Sequence, residues 1–361
     1  MRAAILREVG DEHLDLCTDV ETIDPGPSDV RIKITHSGIC HSDVSAMNGT
    51  IPQGAPSVLG HEGAGIVEEV GKDVSRVAVG DHVIAVWSPP CGACDFCNKF
   101  HRPNLCQEVM MDASRPINTF IQGGEEIGAM ARTGTFAEST VLPELGMVKI
   151  DKDIPLDTAS LIGCGVMTGV GASINTAKIT PGSSVVVFGA GGVGVSAIQG
   201  AKIAGAAEIV AVDLKTEKFD RVKELGATHA VTPEELPDTM GEITGGHGFD
   251  FALECIGNPA VMRQAFDVTR RGGTCCIVGV GRLDEFVQFS AFELFYGEKN
   301  LVGSYYGGTD ARVDFHRLLR LCEGGQLDLR SMIDRTLSFD EINDGIDACR
   351  SGDVIRQVVE F

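Results

Sequence analysis

An α/β protein of two domains, a β-rich first part and a doubly wound parallel-sheet second part, is the fold class that the sequence predicts. Three observations carry it. The chain has 361 residues, more than one hydrophobic core usually serves. Up to about residue 165 its apolar residues come in short alternating or β-branched runs split by turn signals. Beyond that point strand-like runs alternate with helical stretches, the pattern of βαβ units whose parallel sheet is covered on both faces.

The elements follow in order. Residues 30–34 alternate with period two, as a half-buried strand does. Residues 63–70 and 81–86 are short β-branched runs bounded by turn signals at 71–73 and 79–80. Residues 98–135 show little periodicity and read as irregular loop. A continuous apolar strand at 184–188 precedes a glycine loop and a helical stretch at 195–204. Next come a strand at 208–213, a helix running to 224, and strands at 229–232, 249–254, 274–280 and 300–304. From 305 the chain carries a helical segment at 315–322 and a strand-like end at 354–361, read as returning to the first domain. The expected organisation is therefore 1–165, then an inserted nucleotide-binding unit at 166–304, then 305–361.

Apolar residues make up 43% of the chain, ordinary for a globular protein, and 45 glycines suit a fold with many tight turns. A net charge of −21 argues against nucleic acid or an anionic membrane surface as partner. The apolar run at 1–10 is broken by Arg7 and Glu8, too short and too charged for a signal peptide. No stretch is long enough to cross a bilayer, so a soluble cytoplasmic protein is expected. In that reducing compartment the 12 cysteines read as ligands and small buried hydrophobes rather than disulfides.

Gly189, Gly191 and Gly194 form a G-x-G-x-x-G loop between a buried strand and a helix. Asp213 closes the next strand 19 residues after Gly194. This is the context of a dinucleotide pyrophosphate loop. The first glycine permits the turn, the second lets backbone N–H groups reach the phosphates, and the third allows close helix–strand packing. Asp213 would accept hydrogen bonds from the ribose and repel a 2′-phosphate, favouring NAD over NADP. Lys215 and Lys218 beyond it leave room for phosphate tolerance.

Cys91, Cys94, Cys97 and Cys106 are spaced to converge on one tetrahedral centre, and four thiolates leave no open position. Such a site holds structure. Zinc and an iron–sulfur cluster both take that ligand set. A second group, Cys40, His61 and Cys164, would make a Cys₂His set with a fourth position for substrate oxygen. Spacing alone does not establish it.

With these residues in view, the chain resembles the zinc-dependent alcohol dehydrogenases of the medium-chain dehydrogenase/reductase family. The resemblance runs through residues 60–71 (GHEGAGIVEEVG), the thiolate lobe, residues 163–169 (GCGVMTG) and the glycine loop, in the family's order. It implies a GroES-like catalytic domain beside a Rossmann domain, and zinc in place of the iron–sulfur alternative. Two zinc ions per chain follow. One is catalytic, on Cys40, His61 and Cys164 with Glu62 behind it; the other is structural, on Cys91, Cys94, Cys97 and Cys106. Asp43 would orient His61 and Ser42 would touch the substrate oxygen. His41 and Arg356 would meet the pyrophosphate, with Gly192 and Lys218 also on the cofactor. Thr168 and Val193 would pack the nicotinamide. Trp87, Phe136, Val280 and Tyr305 match the substrate-lining positions.

The implied activity is zinc-assisted reversible hydride transfer between a primary alcohol, aliphatic or aromatic, and NAD, giving an aldehyde. Bulky Trp87 would narrow the channel against branched alcohols. Two positions depart from the family. Ser45 stands where many relatives carry a relay histidine, and the last gap of the thiolate lobe is eight residues, one longer than usual. Residues 163–176 also resemble mycothiol-dependent formaldehyde dehydrogenases, which makes a thiol adduct an alternative substrate. Two further readings compete: a zinc-free reductase of the same superfamily, which would lack both cysteine sets, and a non-catalytic nucleotide- and zinc-binding protein. A homodimer or homotetramer is expected from the resemblance.

Overall fold

Residues 29–39 bury every second side chain at first and then three in succession, so one long strand, Asp29–Ile39, organises the first domain. The structure is a computed structural model describing residues 1–108 and 118–361. Asp29–Ile39 pairs antiparallel with Glu62–Val70, with Ser139–Pro143 and with Arg356–Glu360. His82–Ala85, Met147–Ile150 and Ile333–Ser338 complete this sheet. Val30, Ile32 and Ile34 pack on its inner face against Val67, Val83 and Leu142. A second sheet contains Ala3–Leu6, Asp15–Cys17, Val20–Thr22 and Ser57–Val58, together with a hairpin.

That hairpin corrects the sequence reading of 98–135 as loop throughout. Asn118–Gln122 and Glu125–Ala129 pair antiparallel, with Gln122 opposite Glu125. The two residues between them, Gly123 (φ +59°) and Gly124 (φ +87°), take the left-handed conformation that a tight hairpin turn of this kind requires. Residues 109–117 of the expected loop lie outside the described residues.

The second domain is a parallel sheet of Ser184–Phe188, Glu208–Val212, His229–Val231, Phe249–Glu254, Thr269–Ile277 and Asn300–Gly303. Numbered along the chain, their order across the sheet is 3-2-1-4-5-6, the doubly wound arrangement of dinucleotide-binding domains. The order reverses between Ser184–Phe188 and Phe249–Glu254, which opens a crevice at their carboxyl ends. Thr269–Ile277 stops short of the predicted 280 because Gly279 packs against the backbone of Gly257 and leaves the ladder. The last two strands of the chain, Ile333–Ser338 and Arg356–Glu360, lie in the first domain's sheet.

Between the domains runs a helical stretch, Leu156–Leu161, Ile162–Val166, Met167–Gly171 and Ala172–Thr176, in which the second and fourth segments are π-helical turns. Among the described residues no helix is long and apolar enough to cross a membrane. No disulfide is formed among them either.

Candidate active site

Register assembles the site. In the antiparallel pair of Asp29–Ile39 and Glu62–Val70, Gly38 lies opposite Glu62. Cys40 follows the first strand and His61 precedes the second, so both fall at the same end of the ladder. Gln357 lies opposite Ile39 on the other flank, which brings Arg356 to that end as well.

Beyond Cys40 the chain turns into the helix His41–Met47, with Cys40 at its N-cap. Asp43, fully buried, accepts from the Cys40 N–H (2.9 Å), from the Gly60 N–H (3.2 Å) and contacts His61 Nδ1 (3.1 Å). A carboxylate there makes Nδ1 the protonated nitrogen of the ring. The lone pair of Nε2 then points away from Asp43. His61 Nε2 is buried and has no hydrogen-bond partner among the described residues.

Cys164 comes from the first π-helical turn of the interdomain helix. Such turns free backbone groups from the regular ladder, and here tertiary partners take them. Tyr306 donates its hydroxyl to the Gly163 carbonyl, and the Gly165 N–H donates to Glu62 Oε1 at 2.9 Å. Pinned on both sides, Cys164 faces Cys40 and His61. The donor atoms of Cys40, His61, Glu62 and Cys164 all lie within 4.8 Å of one another, and all four residues are buried.

The electrostatics of this group call for a positive charge. The hydrogen bond from Cys164 holds the Cys40 thiol well below its ordinary range, with His61 assisting against the cost of burial. The same bond, together with burial, drives Cys164 well above it. Burial opposes a charge on His61, but Asp43 and the Cys40 sulfur outweigh it and lift the imidazole to about 10. Two sulfurs, an oriented imidazole with an unpartnered nitrogen and a carboxylate behind them fit a tetrahedral zinc ion.

Substituting Asp43→Asn would remove the strong acceptor of Nδ1–H. Retention of a metal at this centre is expected to fall by about 10–100-fold, the usual cost of losing such a partner, as measured by competition with a chelator.

Ser42, in the first turn of the helix, has its hydroxyl 3.7 Å from Cys40 Sγ. Ser45 Oγ lies 3.5 Å from Nδ1 of His41, which is itself exposed. Arg356 and Glu62 form a buried ion pair, 3% and 0% exposed. The Arg356 Cδ also fills the place a side chain at Gly192 would occupy, and its buried Nε has no partner among the described residues. One guanidinium thus connects Glu62 to the glycine loop.

The loop has the form its sequence requires. Gly189 takes φ +93°, a side chain on Gly194 would run into the Gly189 carbonyl, and Gly191 faces open space. Helix Gly192–Ile203 starts without a side-chain cap, so its first N–H groups are available to an anion. Val193 packs half-buried on the core, and its carbonyl touches Gly169, the residue after Thr168. Thr168 acts to lower the Cys164 thiol, against the stronger effects of Cys40 and burial. Asp213 accepts from the Ala190 N–H (2.6 Å) and the Lys215 N–H (2.9 Å), and Lys218 Nζ lies 3.3 Å away. This cradle fits a dinucleotide diphosphate.

The second cysteine group also converges. The Cys91, Cys94, Cys97 and Cys106 sulfurs lie within 4.8 Å of one another. Backbone N–H groups of Cys91, Ala93 and Cys94 donate to sulfurs of the set at 3.2–3.4 Å. Hydrogen bonds, the first from the backbone of Gln107, lower Cys94 to about 6, and burial raises Cys97 to about 12. The eight-residue gap is taken up by the turn Pro103–Leu105 without separating Cys106 from the others.

Of the four substrate-lining candidates, Trp87 and Tyr305 come together edge to face, centroids 5.4 Å apart. Val280 is exposed, whereas Phe136 is fully buried in the core with Leu59 and Met130, its ring against Gly60. Sequence reasoning passed over Tyr306. Its ring lies 4.6 Å from Trp87 and its hydroxyl holds the Cys164 turn. The Tyr305–Tyr306 pair in a chain with three tyrosines was the available signal.

Comparison with known proteins agrees with this geometry. Residues 26–152 match the alcohol dehydrogenase GroES-like domain, and residues 192–324 match the zinc-binding dehydrogenase family. A benzyl alcohol dehydrogenase from Acinetobacter calcoaceticus is 32% identical over 100% of this chain and 99% of its own, with a TM-score of 0.92. An alcohol dehydrogenase zinc-binding domain protein from Burkholderia ambifaria is 31% identical over 100% and 98%, TM-score 0.93. A Sinorhizobium meliloti 1021 protein with bound NADP is 26% identical over 100% and 99%, TM-score 0.81. Full-length similarity at that level, joined to two family matches in sequence order, means that this chain belongs to the zinc-dependent alcohol dehydrogenases of the medium-chain dehydrogenase/reductase family.

Proposed function

We propose that the protein is an NAD-dependent dehydrogenase interconverting a primary alcohol, aromatic or aliphatic, and its aldehyde, with two zinc ions per chain. The observation that carries this reading is the buried Cys40–His61–Cys164 group with the Ser42 hydroxyl beside it, joined to the glycine loop through Arg356. Bound there, zinc supplies Lewis acidity toward an alcohol oxygen and NAD supplies the hydride acceptor. Ser42 is placed to take the alcohol proton. Position 45 offers a hydroxyl next to His41 where a histidine would otherwise continue the path. Asp43 keeps His61 in one tautomer throughout, and Arg356 offers its free Nε–H to the diphosphate.

Asp213 supports NAD as the cofactor, because its carboxylate would face a 2′-phosphate with like charge. Lys218 neutralises part of that charge. Asp213→Gly is expected to shift the ratio of kcat/KM for NAD over NADP toward NADP by about tenfold or more. An unchanged ratio in steady-state assays with both cofactors removes Asp213 from that role.

The aromatic group of Trp87, Tyr305 and Tyr306 beside Cys164 supports planar, unbranched substrates, as does the likeness to a benzyl alcohol dehydrogenase. Initial rates with NAD across benzyl, short-chain and long-chain alcohols test this. Formaldehyde with and without a low-molecular-weight thiol completes the panel. Highest kcat/KM for a primary aromatic or aliphatic alcohol is the expected result. Activity confined to formaldehyde plus thiol would replace the proposed substrate class.

Two or four copies of the chain complete the proposal. Asn300–Gly303 is the edge strand of the parallel sheet, and exposed Phe286, Phe292, Phe295 and Leu283 lie in the segment leading to it. Exposed apolar surface of this extent beside an open edge fits a second copy of the chain.

A further inference from the structure

Just ahead of Cys106, in the turn Pro103–Leu105 of the thiolate lobe, stands Asn104, only 3% exposed. Its Nδ2 donates to the Tyr305 carbonyl at 2.9 Å, 201 residues away along the chain. A carbonyl can only accept, so the amide must turn its NH₂ end toward it. Asn104 Oδ1 has no partner among the described residues. The bond to Tyr305 is therefore what this buried amide is placed to make.

Segment 304–308 is held by side-chain bonds from two directions. Ser304 and Thr176 share a hydroxyl contact at 3.0 Å, Tyr306 donates to the Gly163 carbonyl, and Asn175 donates to the Gly307 carbonyl at 3.2 Å. Those three ties lead to the helical stretch 156–176 that carries Cys164. Asn104 supplies the tie to the thiolate lobe, and it falls at a strained point. Tyr306 takes φ +53°, a left-handed conformation that a bulky side chain seldom adopts and that its surroundings must enforce. The Tyr305 carbonyl belongs to the peptide plane that turns about that φ. It also accepts from the Gly308 N–H at 3.1 Å, which closes the turn locally. Asn104 fixes the closed turn against a distant element.

The rings on either side of this plane meet Trp87, Tyr305 at 5.4 Å and Tyr306 at 4.6 Å between centroids. Trp87 precedes Cys91, at the opposite end of the same lobe. The lobe thus reaches the aromatic group from both of its ends. We propose that Asn104 is a positioning residue for the substrate: through it the thiolate centre sets where Tyr305 and Tyr306 stand, and so governs selectivity for aromatic over short alcohols. This rests on the proposed alcohol oxidation. The sulfurs of Cys91, Cys94, Cys97 and Cys106 converge on one point, so the closure that gathers them also places Asn104. A centre with no open position takes no part in the reaction, yet its loop shapes the pocket.

Three variants of the zinc-loaded protein test this. Asn104→Ala and Asn104→Leu, the second nearly equal in volume, remove the donor. Asn98→Ala removes a bond inside the lobe, from Asn98 Nδ2 to the Ala93 carbonyl, and serves as the control. Trp87 is the chain's one tryptophan, so intrinsic emission reports the aromatic group without substrate. It is read beside zinc content, NADH affinity, and KM and kcat for benzyl alcohol and ethanol. Both Asn104 variants are expected to move the emission maximum to longer wavelength and to raise KM for benzyl alcohol by about fivefold or more. Values of kcat, KM for ethanol and NADH affinity should stay within about twofold of wild type, with two zinc ions retained. Asn98→Ala should match wild type throughout. Unchanged emission and KM, an equal rise for both alcohols, a lost zinc ion, or the same changes in Asn98→Ala overturns the assignment. Absence of NAD-linked turnover in the wild-type protein defeats the functional reading instead, and the emission measurement, which needs no substrate, still decides whether Asn104 sets the aromatic group.

Discussion

His61→Ala is expected to lower kcat/KM for the alcohol by about a thousandfold or more, because it removes one of three donors around the charge-stabilising centre. The same variant should bind NADH within about threefold of wild type, since the glycine loop and Asp213 make no contact with His61. Zinc content should fall by one ion per chain. Cys164→Ala should behave alike. In either variant, retained activity measured by initial rates would remove the residue from the site. Loss of NADH affinity along with activity would point to a collapsed crevice instead. Asp43, left without its imidazole partner, still accepts from the Cys40 and Gly60 backbones, so the helix that carries Ser42 keeps its cap.

A second large effect is expected on stability. Arg356→Leu leaves Glu62 as a buried carboxylate without its counter-charge, and breaking a buried pair from one side costs about 3–5 kcal/mol. For a protein of this size that corresponds to a drop in Tm of roughly 5 °C. NADH affinity should fall as well, because the guanidinium lies against Gly192 at the helix start. Combining it with Glu62→Gln separates the two roles. The double variant should regain most of the lost Tm, since Gln can still accept from the Gly165 N–H, while cofactor affinity stays low. Calorimetry and fluorescence titration on the three variants check this. A Tm for Arg356→Leu within a degree or two of wild type would mean that the pair is worth little.

How far the sequence could be read depended on whether a signal was local. The strand at 184–188 and the glycine loop after it stand where the residues placed them, because a buried parallel strand is one apolar run and the turn needs glycine at fixed offsets. The tetrathiolate group was equally local. The Cys40–His61–Cys164 group was not, because it depends on the register Gly38 to Glu62 and on a helix reaching over from residue 156. The residues offered those three as a candidate set that spacing could not establish, and it was the family resemblance that implied them as ligands of one ion.

The interdomain helix itself escaped notice for a physical reason. Gly163, Gly165, Gly169 and Gly171 speak against a helix by propensity. Tertiary packing overrides that. Side chains at those positions would meet the Ala85 carbonyl, Arg356, the helix Gly192–Ile203 and Gly307 respectively. Glycine is what lets a helix be crowded from several sides. The hairpin around Gly123 and Gly124 was missed in the reading of 98–135 as loop, although two glycines between strand-like flanks are a local turn signal. Phe136 shows the opposite limit. Its position in the family pattern placed it in the substrate pocket, whereas its ring lies wholly in the core behind Gly60.

Anomalous diffraction from crystals of the purified protein, recorded on both sides of the zinc absorption edge, reaches the root of the account. Two peaks per chain are expected. One should stand within about 2.0–2.4 Å of Cys40 Sγ, His61 Nε2 and Cys164 Sγ together, and the other among the four sulfurs of 91–106. A zinc-replete crystal with density only at the second position would contradict the proposed chemistry, however well the rest of the fold agreed.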